Sequence, residues 1–426
     1  MIELFKDMSV KKIPPFFMFG LAFILFFTPA DYVLPPTFDH AWDVVAIACS
    51  WYFIFLMLRR YGASPMWICF SLFFIFFYFV SCIWNHTDLP LTNVFFKLSK
   101  GVGFLSLVIY GMKRDPKGCI EGFLCAGFVM CAINFITYVI YRDIVGGMQH
   151  GVMSWQGHLE YQRWYFFSSD NGSLFYYLPV AAAAHYYAMT YNHKFSLMAW
   201  LFTAITLYMY IDLKSTAAMV SFGLFSLFAL IIVICQKKWG CRKMRLPSFP
   251  LMLLLGVIFN LFIIGFLSSD LLLGLFNDFF GKSSSLLERI EIWSKALGYY
   301  SNNPIFGVGL SLPETDIARI TYNHTHNILL QIVYQGGAVS LLLFFAGCFF
   351  CYKGRGAEES HPASIYLIIS IFALFIAGTF DFYFHYTPLF FPLFAYGCLD
   401  SQRDSGPACR ESTDSEGLEN DGRACR

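Results

Sequence analysis

Long apolar stretches recur along the chain and constrain its fold more than any other feature. A helix that crosses a bilayer needs about 20 mainly apolar residues. Twelve stretches approach that length: 14–31, 41–58, 66–84, 93–112, 119–141, 173–190, 195–211, 215–235, 248–268, 327–352, 362–380 and 383–399. Several end at Pro, Gly or a charge pair, as helix breakers do. The least separated are 195–211 and 215–235, divided only by Asp212, Leu213 and Lys214, and the last two, around Asp381. Of the 426 residues, 57% are hydrophobic and 13% charged, about half the charge density of roughly 25% found in soluble domains. That excludes an ordinary soluble fold, and the hydrophobicity excludes a disordered chain. The fold expected is an all-α polytopic membrane protein. About twelve transmembrane helices occupy residues 1–400, with a short helical outer loop domain at 269–326 and a disordered cytoplasmic tail at 401–426. The first apolar stretch lacks a small-residue cleavage site and reads as an uncleaved span.

Basic residues concentrate on cytoplasmic loops of membrane proteins. With the N-terminus inside, alternation places Lys6, Lys11, Lys12, Arg59, Arg60, Lys113, Arg114, Lys117, Lys194, the cluster Lys237 to Arg245, Lys353, Arg355 and the tail arginines on that side. Both termini are then cytoplasmic. Nine cations run against the rule and fall on the outer side: Lys97, Lys100, Arg142, Arg163, Lys214, Lys282, Arg289, Lys295 and Arg319. Such cations are held by structural ion pairs or by something anionic handled on that face. A formal net charge of +1 gives no reason to expect a nucleic-acid partner. None of the 13 Cys falls in an outer loop in this topology, so they read as small packing residues rather than a disulfide framework. No nucleotide-binding G-x-x-x-x-G-K-[ST] motif is present, and no His and carboxylate cluster suggests a metal.

Two outer segments exceed a few residues, 142–172 and 269–326. The second contains an amphipathic helix starting near Ser284 or Ser285, with Glu288 near the third position of a capping box. Leu286, Ile290, Trp293 and Leu297 make its apolar stripe. Asn302-Asn303-Pro304 stops the helix, and Phe306-Gly307-Val308-Gly309 makes a close return. The chain re-enters the membrane at His324-Thr325-His326-Asn327, and Gly336-Gly337 permits close contact or a kink in the next span.

This order of elements resembles the O-antigen ligase and polymerase superfamily of bacterial membrane glycosyltransferases. The matching residues are Arg289 and Trp293 of an Arg-x-x-x-Trp helix, Pro304, Gly307 and Gly309 of the return, His326 and Asn327 at the mouth of a span, and Gly336 and Gly337 beyond. The resemblance implies a GT-C-like fold in the bacterial cytoplasmic membrane with its active site on the outer face. It implies an inverting glycosyltransferase that takes an oligosaccharide from undecaprenyl pyrophosphate and passes it to an acceptor sugar hydroxyl. His326 would activate that hydroxyl, and Arg289 would hold the donor pyrophosphate. No cofactor is expected, since cations would take the place of a metal. Where the family carries a second Arg, this chain has Lys214, which neutralises phosphate without the bidentate fork. Lys100 and Lys97 form a further cation pair. Arg163, with Tyr161, Trp164 and Tyr165, is a candidate sugar contact.

Each residue also has a plainer role. Arg289 could pair with Glu288 or Glu291, His326 could hydrogen-bond at the interface, Lys214 could snorkel from a helix end, and the aromatics near Arg163 could form an interfacial belt. His324, Asp170 and Asn171 read as structural. The leading function is the repeat-unit polymerase of a surface polysaccharide, O-antigen or capsule. The alternatives are a ligase with lipid A-core as acceptor and, from another class, a transporter of lipid-linked oligosaccharide. Transporters bury charge near the midplane between repeated halves, whereas these charges gather at one interface. Partners implied by the resemblance are the lipid-linked donor, a lipid-linked or lipid A-core acceptor, membrane lipids, a flippase and a chain-length regulator.

Overall fold

The computed structural model describes residues 14–29, 35–84, 91–141, 150–153, 159–162, 165–167, 171–239, 247–266, 283–309, 325–354, 362–381 and 387–399. Proline starts several helices, since its fixed φ suits the first helical position and its missing N–H is not needed there. Pro15 opens α1 (Pro15–Ile24), Pro36 opens α2 (Pro36–Tyr61) and Pro65 opens α3 (Pro65–Phe74), where Ser64 Oγ accepts from Trp67 N at 3.3 Å. A π-helical turn at Ile75–Val80 links α3 to α4 (Ser81–Trp84). Next come α5 (Leu91–Arg114) and α6 (Pro116–Tyr141), with Asp115 capping the first turn of α6 through Gly118 N. The rest of the bundle is α7 (Leu174–Thr190), α8 (Ser196–Asp212), α9 (Thr216–Trp239), α10 (Phe249–Phe266), α11 (Ser283–Asn302), α12 (Ile328–Lys353), α13 (Ser364–Ala377) and α14 (Phe391–Cys398).

All twelve apolar stretches contain a helix. Among the described residues, seven helices are long and apolar enough to cross a membrane: Thr37–Tyr61, Pro65–Trp84, Leu91–Arg114, Pro116–Tyr141, His193–Asp212, Thr216–Lys237 and Ile328–Lys353. The others are shorter, α13 among them, and its early stop is used by the site described below. The chain is a multi-pass membrane protein and predominantly helical. One feature departs from the all-α expectation: β1 (His150–Met153) and β2 (Leu159–Gln162) pair antiparallel, with His150 opposite Gln162 and Met153 opposite Leu159. This ribbon falls within 142–172, a segment expected outside the membrane, where water would satisfy the edge groups that hydrocarbon could not.

Packing relies on small residues and phenylalanine. A Cβ on Gly122 of α6 would lie 2.8 Å from Phe16 O of α1, so those two helices touch at the backbone. Phe123 and Phe391 stack with centroids 3.6 Å apart. Contacts along α12 fix its direction: Gly336 faces Phe77, Gly347 faces Phe70, and Cys351 lies with Met66 against Gly397. α3 and α12 are therefore antiparallel. α5 is antiparallel to α3 as well, with Gly101 against Phe74 and Trp67 Nε1 donating to Ser106 Oγ. One end of the bundle thus gathers the π turn and the starts of α5 and α12. The opposite end gathers the start of α3 and the ends of α5, α12 and α14.

Candidate active site

α11 lies over the first half of α12. Its buried face is Ile292, Trp293 and Ala296, packed with Ile263, Leu330 and Tyr334. The expected stripe therefore turns by about one residue: Leu297 is exposed and the small Ala296 takes the inner place. The side chain of Leu286 lies outside the described residues, as does the expected capping by Glu288. Trp293, 2% exposed, sets this rotation, because its Nε1 donates to Thr325 O at 2.8 Å.

The return after Asn302 is clasped by a break in α12. Gly337 has φ 68° and ψ −170°, so the helix kinks inside its span as the Gly pair suggested. Ordinary helical bonding would pair Tyr334 O with Ala338 N–H and Gln335 O with Val339 N–H. Instead, Val308 N donates to Tyr334 O at 2.8 Å and Gly309 N to Gln335 O at 3.0 Å. Ala338 N donates to Pro304 O at 2.8 Å and Val339 N to Ile305 O at 3.2 Å. Gly307, at φ 68°, lets the two backbones meet; a Cβ there would be 2.6 Å from Tyr334 O. The return is thus bonded into the helix like a short added strand.

His326 stands at the mouth of α12 with φ 54°, a conformation few non-glycine residues hold. Its neighbours enforce it. Thr325 N donates to Gln331 Oε1 at 2.7 Å. Asn327, fully buried, caps α12 by accepting from Leu330 N at 3.0 Å, and its Nδ2 donates to Asn260 Oδ1 and to Thr379 O. Gln331 passes the network to Gln335, which donates to Phe77 O in the π turn. His326 is left with a side chain 26% exposed and Nδ1 at 3.2 Å from Asp381 Oδ1. An ionised carboxylate only accepts, so this pairing favours the tautomer with the proton on Nδ1 and leaves Nε2 as the open nitrogen. The Asp381 side chain is 8% exposed.

Four consecutive residues beyond α13 hold the cluster together. Gly378 O accepts from Ile328 N, Thr379 O from Asn327 Nδ2, Phe380 O from Arg289 Nε at 2.9 Å, and the Asp381 carboxylate from His326. A helix C-terminus presents carbonyls without helical partners and the negative end of the dipole. Donors and one guanidinium collect there for that reason. The arrangement brings Arg289, Trp293, His326 and Asn327 into one unit. It adds Asp381, Asn260 and Gln331, which sequence reasoning did not select. A carboxylate between two apolar stretches was the available signal for Asp381, since an ionisable group at such a place is functional by default.

The other expected residues sit around this unit. Lys100 forms an ion pair with Asp43 of α2. Lys97 lies one turn towards the start of α5 and is exposed. Lys214 occupies the exposed turn between α8 and α9 at φ 53°, followed by Ser215, whose hydroxyl donates to Asn171. Arg163 and His324 lie outside the described residues, and so does Asp170.

Residues 201–345 match the family model described as O-antigen ligase. That match supports a likeness to the O-antigen ligase and polymerase superfamily over this part of the chain. It runs from α8 into α12 and takes in Lys214, Arg289, Trp293, the return, His326, Asn327 and the Gly337 break. It covers about a third of the chain and stops before Asp381. The match supports an O-antigen ligase- or polymerase-type function in general. No curated protein matches the chain.

Proposed function

We propose that the protein is the repeat-unit polymerase of a surface polysaccharide. It would be an inverting glycosyltransferase working on the outer face of a bacterial cytoplasmic membrane, with twelve spans and both termini inside. The observation that carries the reading is the convergence of Arg289, His326 and Asp381 on the end of α13. His326 Nε2 takes the proton of the acceptor hydroxyl as its oxygen attacks the anomeric carbon of the donor. The bond from that carbon to the pyrophosphate oxygen breaks, and undecaprenyl pyrophosphate leaves with the electron pair. Attack from the face opposite the leaving group inverts the anomeric configuration. Asp381 stabilises the imidazolium that forms, as the acid of a triad does. Arg289, its guanidinium plane held by Phe380 O, meets the charge growing on the diphosphate. Lys214 adds a second positive charge, and Trp293 and Asn327 keep Arg289 and His326 in register.

The ligase reading shares this chemistry and differs in the acceptor. Lys214 in place of a second Arg favours the polymerase. The test is deletion of the gene followed by electrophoresis of surface polysaccharide. A single repeat on lipid A-core identifies the polymerase, and free lipid-linked polymer identifies the ligase. Complementation with His326→Ala or Arg289→Ala should leave the deletion phenotype although the protein inserts. Wild-type polymer from either variant would remove the mechanism.

A further inference from the structure

At the end of the bundle opposite His326 lies a cavity of about 600 Å³. The ends of α2, α5, α12 and α14 meet the start of α3 around it. Met66, Ile109 and Leu399 are buried apolar lining, while Lys113 and Lys353 are exposed at its edge. Among the described residues its lining holds no carboxylate. Neither lysine pairs with a carboxylate among the described residues. Asp115, next in the chain to Arg114, is occupied as the cap of α6. Positive charge is also crowded here. Lys113 Nζ lies 5.3 Å from the ring centre of Tyr61, and the Arg60 guanidinium lies 5.6 Å from the same ring. These cations gather positive charge at the Tyr61 edge of the cavity, which favours an anion there. The start of α3 at Ser64 and Pro65 adds the positive end of a helix dipole.

Position selects the kind of anion. α12, counted across its break at Gly337, has 26 residues, an upper length of about 39 Å at about 1.5 Å per residue. That matches a bilayer with its headgroup layers, about 40 Å or slightly more. With His326 at one surface of that helix, Lys353 stands at the headgroup level of the other. Basic pockets between helices at that level suit anionic headgroups, and the volume accommodates a phosphate with its first acyl carbons.

We propose that this cavity binds the phosphodiester headgroup of an anionic phospholipid, with Lys113 and Lys353 on the phosphate and the upper acyl chain against Met66 and Ile109. The assignment is independent of the glycosyl-transfer reading, because none of these residues belongs to the transfer site.

The test uses the full chain, delipidated in detergent and reloaded with phosphatidylglycerol or phosphatidylcholine, read by native mass spectrometry and by the thermal midpoint. The expected result is at least one phosphatidylglycerol retained about tenfold more tightly than phosphatidylcholine, with a raised midpoint. Lys113→Gln with Lys353→Gln should lose about that factor while keeping the lipid-free midpoint of the parent. Equal retention of both lipids, or unchanged retention by the double variant, would overturn the proposal. Should the double variant lose its midpoint, Ile109→Trp, which fills the cavity without removing charge, should abolish the same retained lipid; persistence of that lipid would overturn the proposal. Competition by millimolar inorganic phosphate would assign the cavity to free phosphate instead. Phosphatidylglycerol that binds only after deletion of residues 401–426 would assign it to the acidic tail. Either result overturns the lipid assignment.

Discussion

His326 and Asp381 are separated by 55 residues in the chain and by 3.2 Å in space. A histidine bonded in this way has its tautomer and its ring orientation set by the carboxylate. Asp381→Asn preserves size and a hydrogen bond, but its amide can donate to Nδ1 and so favour the wrong tautomer. The expected outcome is a fall in kcat of about 10²-fold to 10⁴-fold with KM for the lipid-linked donor little changed, measured on purified protein in detergent or nanodiscs. A proportionate rise in KM with kcat intact would make Asp381 a binding residue. Lys100 supports a second test at this scale. Its partner Asp43 is largely shielded, and removing one member of such a pair leaves the other charge uncompensated. Lys100→Ala should melt lower than the double variant Asp43→Ala with Lys100→Ala. Transfer lost from both variants at unchanged melting would instead put Lys100 in the transfer site. Arg289, Trp293, His326 and Asn327 were legible in the sequence because they belong to one local run ending in a helix cap. Asp381 and Asn260 were not, because each reaches the site from a distant helix.

The interrupted α12 shows how an element is shaped by its neighbour. Hydrocarbon offers no partners for free backbone groups, so a break inside a span persists only if another segment supplies them. Here the 304–309 return does so at four places. Gly337→Ala should be severe for two reasons. Its φ of 68° with ψ of −170° is open essentially to glycine alone, and a Cβ would run into Ile305 O. Strain of this kind costs about 1–3 kcal/mol. The expected outcome is a lower thermal midpoint and loss of transfer in protein that still reaches the membrane, checked by fluorescence-detected size exclusion and an activity assay. Parental melting and activity would show that the clasp is dispensable. The Gly pair and the Pro-x-x-Gly-x-Gly return were visible separately in the sequence. That they bond to each other was not, since neither motif encodes its partner.

For the molecule as a whole, the candidate transfer site and the lysine-edged cavity sit at opposite ends of α12. That arrangement makes the topology testable. Cysteine introduced at Ser301, exposed at the end of α11, should react with a membrane-impermeant maleimide added to intact cells. Cysteine at Gly354, exposed just past α12, should react only after permeabilisation, each against the parental background. Reversed labelling would put the site on the cytoplasmic side and end the proposed function. Apolar run length and the placement of Lys and Arg determined the class of fold and where its helices fall, because a bilayer imposes one length and one charge rule on every span. Local motif chemistry pointed to the superfamily that residues 201–345 match. What only the tertiary structure decided was which helix ends meet: the stop of α13 that gathers Arg289, His326 and Asn327, the rotation of α11 about Trp293, and the meeting of Arg60 and Lys113 at Tyr61. Those depend on packing between segments far apart in the chain. Apolar patterns in lipid say little about such packing, since every face of a span is hydrophobic and small residues and buried polar groups choose the partner.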